Sequence, residues 1–326
     1  MRIAVLGAGA WGTALGQHLC AAGHPVTLWD HDTPNLLRIP VVRRNVKYLP
    51  DIELPEHLVV EPSLEKAASA GELIVMAVPS FAFREVSQVL RRFTGIVVSV
   101  TKGIEYESGL TMSGVLADTA PRARPVALSG PTLAFEVARG IPTAAVAGSV
   151  DAEAAERVQR LFHRPAFRVY SSTDVFGVEL GGALKNVIAI AAGVCDGLGF
   201  GDNSKAALVT RAIAEIRRLG VACGARAETF SGLSGIGDLV VTCFSRLSRN
   251  RALGERLGRG EPLQDILARS VSVAEGYPTA RAAHALARRH GLSTPIMDEV
   301  HAMLYERKKA ADALRDLIGR DIKPED

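Results

Sequence analysis

Three glycines near the N-terminus have the spacing of a loop that binds phosphate groups. They are Gly7, Gly9 and Gly12, and they stand between an apolar run, Ile3–Leu6, and a helix-like stretch, Ala10–Ala22. In such a loop the first glycine permits a tight turn, the second lets the backbone approach a pyrophosphate, and the third lets the helix pack closely on the strand. The N–H groups that open the helix then donate to the phosphates. The pattern therefore predicts a bound dinucleotide, and the loop residues expected to contact it are Gly7, Gly9, Ala10, Trp11 and Gly12.

The second apolar run, Val26–Trp29, is followed by an acidic residue that bears on which dinucleotide binds. Asp30 comes 23 residues after Gly7. A carboxylate at that point accepts hydrogen bonds from the adenosine ribose hydroxyls, which favours NAD. His31 and the basic residues beyond it could instead hold the 2′-phosphate of NADP, and these residues are Arg38, Arg43 and Arg44. The cofactor is therefore expected to be NAD or NADP, with NAD favoured and with Asp30 and His31 in contact with it.

A lysine in an apolar setting is the leading candidate for proton transfer. Lys185 lies in a stretch, 179–190, in which nearly every neighbour is apolar or small. Burying a lysine there is costly unless it has partners. A lysine whose pKa is lowered by burial or by a neighbouring cation can both give and take a proton near neutral pH. The alternative is a lysine whose ammonium group reaches solvent.

Three further positions could assist such chemistry. Lys102 follows the apolar run Ile96–Val100, at the carboxyl end of a predicted strand, where ligands bind in open α/β sheets, and it could polarise a carbonyl group. Asp238 ends the sequence Gly-Ile-Gly-Asp and could pair with Lys185 or hold substrate hydroxyls, although a helix N-cap is the alternative. Arg249 carries a planar fork of donors suited to phosphate oxygens, and a solvated helix start is its alternative.

The elements that must position these residues change character along the chain. In the first half, short continuous apolar runs alternate with helix-like stretches, as in strands buried on both faces of a parallel sheet. After Val169 no strand is predicted, and the remaining segments have helical patterns. We therefore predict an α/β protein, with an N-terminal Rossmann-like doubly wound sheet over residues 1–182 and an all-helical C-terminal domain for substrate binding and catalysis over residues 183–326.

Composition excludes several classes of protein. The 326 residues are 48% hydrophobic and 22% charged, which is typical of a globular enzyme. The net charge of +3 is mild and the basic residues are dispersed, so no nucleic-acid partner is expected. The four cysteines and eight histidines lack ligand spacing, so no metal is expected. No signal segment and no uncharged apolar run of membrane-spanning length is found, which predicts a cytoplasmic protein that is not embedded in a membrane.

Taken together, the motifs resemble those of the bacterial-type NAD(P)-dependent glycerol-3-phosphate dehydrogenases nearly from end to end. The segments that carry the resemblance, in order, are Gly7–Ala14, Val78–Ser80, Thr101–Gly103, Leu128–Thr132, Leu180–Val187, Gly232–Asp238, Ser248–Asn250 and Val273–Tyr277. The resemblance implies reversible hydride transfer between dihydroxyacetone phosphate and sn-glycerol 3-phosphate, a product that supplies the backbone of phospholipids. It also makes a homodimer plausible.

The resemblance further implies residue roles. Lys185 is the expected general acid/base, with Lys102 and Asp238 beside it in catalysis. The expected substrate contacts are Lys102, Gly130, Thr132, Lys185, Asp238, Thr242, Ser248, Arg249 and Asn250. The further cofactor contacts are Lys102, Ala134, Arg249, Val273 and Glu275. Two positions depart from the family pattern: Ala10 stands where members often have Ser, and Asp30 stands where many have a smaller residue, which argues against the family's usual preference for NADPH.

Two other functions fit part of the pattern. One is a dehydrogenase for unphosphorylated 3-hydroxy acids, against which the group Ser248–Asn250 argues because it suits a phosphate. The other is a dinucleotide-binding sensor without turnover. Lys185, Lys102 and Asp238 together argue against the sensor, because such a protein needs no proton donor.

Overall fold

The structure, a computed structural model, describes residues 1–270 and 273–321 and consists of two compact units. The first unit comprises Met1–Glu105 and Leu110–Glu179. The second comprises Tyr106–Gly109 and the described residues from Leu180 onward. The functional division between residues 182 and 183 concerns which part binds which ligand, and it stays a prediction.

A sheet of eight strands, counted over the described residues, forms the middle of the first unit. The strands are β1 (Ile3–Leu6), β2 (Val26–Trp29), β3 (Val59–Val60), β4 (Leu73–Met76), β5 (Ile96–Ser99), β6 (Arg124–Ser129), β7 (Thr143–Gly148) and β8 (Phe167–Ser172). Their order across the sheet is β3-β2-β1-β4-β5-β6-β7-β8. The chain leaves β1 in one direction for β2 and later crosses to β4 on the other side, so the glycine loop after β1 lies at the switch point where ligands bind in such sheets.

The sheet is mixed at one edge, which corrects the prediction of a parallel sheet. The strands from β3 through β6 pair in parallel, but β6 and β7 pair antiparallel, with Leu128 opposite Ala147. Strand β8 then pairs in parallel with β7 and extends to Ser172, beyond the point where strands were predicted to end. Its residues alternate between buried and exposed, so it lacks the continuous apolar run that marked the inner strands.

Helices cover both faces of this sheet, as the continuous apolar runs predicted. They are α1 (Ala10–Ala21), α2 (Thr33–Val42), α3 (Leu64–Ala70), α4 (Ser80–Ser87), α5 (Met112–Thr119), α6 (Ala134–Ala138) and α7 (Ala152–Phe162). Ile3 and Val5 of β1 belong to the core beneath α1, α2 and α7, whereas Ala4 and Leu6 belong to the core beneath α3, α4 and α5. Because side chains alternate along a strand, both faces are apolar only when both are covered.

Over its described residues, the regular elements of the second unit are all helices, which confirms the predicted all-helical part. Its elements follow α8 (Val175–Gly197), whose first residues belong to the first unit, and they are α9 (Asp202–Ala222), α10 (Asp238–Phe244), α11 (Arg249–Gly258), α12 (Leu263–Ala268), α13 (Gly276–Arg289), α14 (Pro295–Tyr305) and α15 (Ala310–Ile318). By length and composition α8 could cross a membrane, and 89% of its apolar window is buried inside the protein. That degree of burial is what a central core helix requires.

Small residues let α8 and α11 pack with their backbones in contact. A Cβ atom on Gly193 would lie 1.9 Å from the carbonyl oxygen of Arg251. A Cβ atom on Gly254 would likewise lie 1.9 Å from the carbonyl oxygen of Ile190. Side chains at these positions would push the helices apart, so the glycines fix the start of α11 against the middle of α8.

Candidate active site

The glycine loop connects β1 to α1 with a geometry that only small residues allow. Gly7 has a φ of 114°, a backbone conformation that side chains rarely adopt. A Cβ atom on Gly12 would lie 1.9 Å from the carbonyl oxygen of Gly7, which is the close helix–strand approach expected of this position. No atom of the described residues lies within 4 Å of the Cβ position of Gly9, so this part of the loop faces open space.

The donor set of the loop fits the pyrophosphate of a dinucleotide. Gly9 is the N-cap of α1, and among the described residues no side chain caps this helix. The N–H groups of its first turn therefore have no side-chain cap among the described residues, and they carry the positive end of the helix dipole. The open space at Gly9 lies where those N–H groups begin, so a phosphate can approach the backbone there.

Asp30 lies at the end of β2 and supports the same loop. It is 5% exposed. Its Oδ2 accepts a hydrogen bond from the N–H of Ala8 at 2.6 Å, and its Oδ1 accepts one from the N–H of Asp32 at 2.9 Å. His31 is largely exposed, and its Nδ1 lies 3.0 Å from Asp30 Oδ1. The carboxylate thus holds the loop in place, and its contact with a ribose stays a prediction.

The arginines considered for a 2′-phosphate differ in their surroundings. Arg43 forms ion pairs with Glu53 and Glu56 and donates to the carbonyl oxygen of Leu54 at 2.9 Å. These contacts engage Arg43 in holding its own loop. Arg38 and Arg44 are exposed.

Lys102 is anchored in the first unit by a second turn rich in small residues. Its Nζ donates to the carbonyl oxygen of Gly130 at 2.9 Å and lies 3.3 Å from Thr132 Oγ1. Thr132 Oγ1 in turn donates to the same carbonyl oxygen at 3.1 Å. Ala134 begins α6 immediately after this turn. The predicted group of Lys102, Gly130 and Thr132 is therefore brought together, at the carboxyl ends of β5 and β6.

Lys185 lies in the middle of α8 and is 6% exposed, so its ammonium group does not reach solvent as the alternative required. Its Nζ donates to Asp238 Oδ1 at 2.8 Å and to Thr242 Oγ1 at 2.7 Å. Asp238 is 1% exposed and Thr242 is 5% exposed. Burying a charged pair is costly unless its hydrogen bonds are satisfied, so this contact fixes the position of Nζ closely.

The segment before α10 explains how Asp238 and Thr242 come to face one lysine. Residues Leu233–Gly237 form a single turn of π-helix, a wide turn that often occurs at functional sites. Asp238 is the first residue of α10, and the N-cap position belongs to Gly237. The alternative role of Asp238 as an N-cap is therefore not observed. Thr242 lies one turn later, with its hydroxyl donating to the carbonyl oxygen of Asp238 at 2.6 Å.

The buried Cys243 beside Thr242 takes no part in this polar cluster. Burial raises the pKa of its thiol to about 12, although the charge of Lys185 lowers it. The thiol therefore stays protonated at neutral pH and behaves as a small apolar side chain.

The start of α11 brings together the residues predicted to bind phosphate. Ser248 is the N-cap of α11, and its Oγ accepts a hydrogen bond from the N–H of Arg251 at 3.2 Å, as its alternative role predicted. Arg249 is exposed. Asn250 is 8% exposed and donates to Asn186 Oδ1 at 2.8 Å.

Asn250 also ties this region to α13. Its Oδ1 accepts a hydrogen bond from the N–H of Gly276 at 2.8 Å. Gly276 follows Glu275, the N-cap of α13, and Val273 lies two residues before Glu275 in the described part of the chain. Asn186, which sequence reasoning did not single out, therefore links Lys185 on α8 to the Asn250 amide. The sequence feature that could have pointed to Asn186 is that it directly follows Lys185.

The predicted site residues thus form two sets, each within one unit. The first unit holds Gly7, Gly9, Ala10, Trp11, Gly12, Asp30, His31, Lys102, Gly130, Thr132 and Ala134. The second holds Lys185, Asp238, Thr242, Ser248, Arg249, Asn250, Val273 and Glu275. The roles of these residues toward ligands stay predictions.

Comparisons with known proteins identify the family of this chain. A family model described as the N-terminus of NAD-dependent glycerol-3-phosphate dehydrogenase matches residues 2–155, and one described as its C-terminus matches residues 174–315. A glycerol-3-phosphate dehydrogenase (NAD(P)+) of Chlorobium luteolum is 49% identical, over 100% of this chain and 99% of the relative. The one of Syntrophotalea carbinolica is 47% identical over the same shares.

A solved structure extends the similarity to three dimensions. The crystal structure of glycerol-3-phosphate dehydrogenase from Coxiella burnetii has a TM-score of 0.94 and 36% identity to this chain. It covers 98% of this chain, and 99% of its own chain is matched. The chain therefore belongs to the NAD-dependent glycerol-3-phosphate dehydrogenase family.

Proposed function

We propose that this protein catalyses reversible hydride transfer between NAD(P)H and dihydroxyacetone phosphate, with sn-glycerol 3-phosphate as the product of reduction. The observation that carries the proposal is the buried contact of Lys185 with Asp238 and Thr242, at 2.8 Å and 2.7 Å. A lysine held in this way, in a chain that also carries a dinucleotide loop, supplies the proton donor that ketone reduction needs.

The proposed chemistry assigns one task to each polar group. Bound NAD(P)H supplies the hydride. Lys185 Nζ donates a proton to the substrate oxygen during reduction and takes it back from the hydroxyl group during oxidation. Asp238 stabilises the protonated lysine, and Thr242 fixes the direction of Nζ. Lys102 polarises the substrate carbonyl from its anchored position on Gly130.

The substrate phosphate is assigned to the start of α11. Arg249 donates to phosphate oxygens through its guanidinium group, and Ser248 and Asn250 add a hydroxyl and an amide donor. The hydroxyl of Ser248 accepts from Arg251 but keeps its own hydrogen to donate. A phosphorylated substrate therefore suits this region better than an unphosphorylated hydroxy acid.

The test is the loss of reduced-nicotinamide absorbance with dihydroxyacetone phosphate, run in parallel with NADH and NADPH. Dihydroxyacetone without the phosphate and a 3-oxo acid serve as matched substrates. Of these three substrates, we expect only dihydroxyacetone phosphate to be turned over. Faster turnover with NADH supports Asp30 as a ribose contact. Faster turnover with NADPH instead supports a contact of His31, Arg38 or Arg44 with the 2′-phosphate.

Two outcomes contradict the proposal. Turnover of the 3-oxo acid at a comparable rate would indicate a different substrate class. Binding of NADH without turnover of any substrate, in a folded sample, would indicate a sensor.

We make further proposals on where the two ligands bind, where the enzyme is located and how it assembles. We assign the cofactor to residues 1–182 and the substrate to residues 183–326, and we place the enzyme in the cytoplasm, where its product enters phospholipid synthesis. We also propose a homodimer, which light scattering on the purified protein tests directly. A monomeric mass would exclude the dimer without affecting the catalytic proposal.

A further inference from the structure

A buried amide that belongs to no recognised motif contacts the glycine loop from within the protein. Asn45 is 0% exposed and lies just after α2. Its Nδ2 donates to the carbonyl oxygen of Ala8 at 2.7 Å and to Thr13 Oγ1 at 2.8 Å. Its Oδ1 accepts from Asn35 Nδ2 at 3.1 Å and from the N–H of Tyr48 at 3.3 Å. Every hydrogen-bonding position of this amide is therefore used.

The residue that Asn45 holds is the one between the first two glycines of the loop. Both polar groups of Ala8 are fixed by side chains, since its N–H donates to Asp30 and its carbonyl oxygen accepts from Asn45 and, at 3.2 Å, from Thr13. Glycines on either side leave the backbone with more conformational freedom than any other residue would. Without these contacts the loop would sample conformations in which its N–H groups do not converge on one phosphate.

We propose that Asn45 is a positioning residue for the cofactor, one that sets the affinity for the dinucleotide pyrophosphate without touching it. The proposal rests on the proposed function only in that a nicotinamide dinucleotide occupies the loop. A residue with no exposed surface cannot contact a ligand, so it acts through Ala8. Because NAD and NADP share the pyrophosphate, the loss of Asn45 affects both cofactors equally, unlike a change at a group that reads the ribose.

The central variant is Asn45→Leu, which keeps a side chain of similar shape and removes both N–H donors without placing a charge in the buried site. We expect the KM values for NADH and NADPH to rise together by about tenfold, as the loss of one hydrogen bond to a loop would give. We expect kcat at saturating cofactor to stay within about threefold, since the groups that carry the chemistry are elsewhere in the chain.

The matched control is Asn35→Ala, which removes a second buried amide of the same network that does not touch the loop. It is expected to lower Tm while leaving both KM values within about twofold. A lower Tm with unchanged cofactor KM in Asn45→Leu, or a rise in KM for one cofactor alone, would overturn the proposal.

Two further measurements keep the test decisive. Quenching of tryptophan fluorescence by NADH reports binding without turnover, because Trp11 lies in the loop, so a failure of the proposed reaction and a failure of this inference are distinguishable. If Asn45→Leu does not fold, Thr13→Val removes the other side-chain contact of the Ala8 carbonyl group at nearly constant volume. An increase of about threefold in both dissociation constants is expected, and no increase would contradict the role of this contact.

Discussion

The glycine loop and the Lys185 cluster both present polar groups for a ligand, yet the loop is partly open whereas the cluster is buried, and they are built in opposite ways. The loop offers backbone N–H groups, and its glycines, Gly9 and Gly12, serve by lacking side chains. The cluster offers side chains, with the charge of Lys185 held by Asp238 inside a helical core. We therefore expect added side-chain atoms in the loop to weaken cofactor binding, and removal of the charge in the cluster to lower turnover.

The difference also shows in what supports each region. Ala8 in the loop is fixed by Asp30 and by the neutral amide of Asn45. Lys185 is fixed by a carboxylate and a hydroxyl on one short helix, at distances of 2.8 Å and 2.7 Å. Neutral amides hold a backbone in place at little electrostatic cost, whereas a buried charge must be matched by another.

The largest effect is expected from Lys185→Met, which removes the charge of the cluster at similar volume. Turnover should fall by about 10³-fold, within the range that a general acid contributes, while the dissociation constant for NADH changes little. Steady-state kinetics and fluorescence titration measure the two quantities separately.

The control for this variant is Lys205→Met, at another buried lysine of the second unit, which pairs with Asp196. That change should lower Tm without removing the chemical step. An equal loss of turnover in both variants would mean that the loss reflects damage to the fold.

The next largest effect is expected from Gly9→Ala. The added methyl group would lie more than 4 Å from every atom of the part of the chain that the structure describes, and Gly9 has an ordinary φ of −65°. Tm should therefore be unchanged, while the KM for either cofactor rises by about 10²-fold because the pyrophosphate loses its close approach to the backbone. Calorimetry and kinetics on the same sample check both statements.

Gly12→Ala sharpens this prediction, because its added methyl group would overlap the carbonyl oxygen of Gly7. It should lower Tm as well as cofactor affinity. If Gly9→Ala binds NADH as tightly as the unchanged protein, the cofactor does not approach the loop at Gly9.

These two regions also differ in how far the sequence could predict them. The loop is local: its glycines, the strand before it and the helix after it are adjacent in sequence, so its conformation follows from the pattern. The contact between Lys185 and Asp238 spans 53 residues, so the sequence offered it only as one of three possible roles of Asp238. Asn45 was not predicted, because a single Asn in a loop gives no signal until the chain folds over it.

In the fold, too, the sequence predicted features that leave a local pattern and missed those that do not. The inner strands were predicted because burial on both faces leaves continuous apolar runs. Helix α2 was not predicted, since it contains Pro40 and is followed by Arg43 and Arg44, a composition typical of a loop. The antiparallel direction of β7 was also not predicted, because a strand's residues do not record which way its neighbour runs.

The second unit contains another buried carboxylate besides Asp238. Backbone N–H groups donate to it, whereas a lysine donates to Asp238. Glu215 on α9 is 4% exposed. Its oxygens accept hydrogen bonds from the N–H groups of Ile296 and Met297 at the start of α14, at 3.0 to 3.3 Å. Burial raises the pKa of Glu215 from its ordinary 4.5 to about 7, although the two N–H groups lower it. The two backbone donors thus offset only part of the cost of burying this charge.

The smallest of these effects concerns stability and pH. Because the folded protein binds the Glu215 proton more tightly than the unfolded chain does, this group's contribution to stability is complete below pH 4.5 and is lost as the pH rises through about 7. Glu215→Gln stays neutral at every pH and still accepts a backbone hydrogen bond. Between pH 5 and pH 8 the unchanged protein should lose on the order of 2 kcal/mol in its free energy of unfolding that the variant retains. Urea unfolding of both proteins at several pH values, with Glu107→Gln as the exposed control, measures this difference. Parallel pH curves for all three proteins would mean that the N–H groups of α14 compensate the charge fully, which would contradict this prediction.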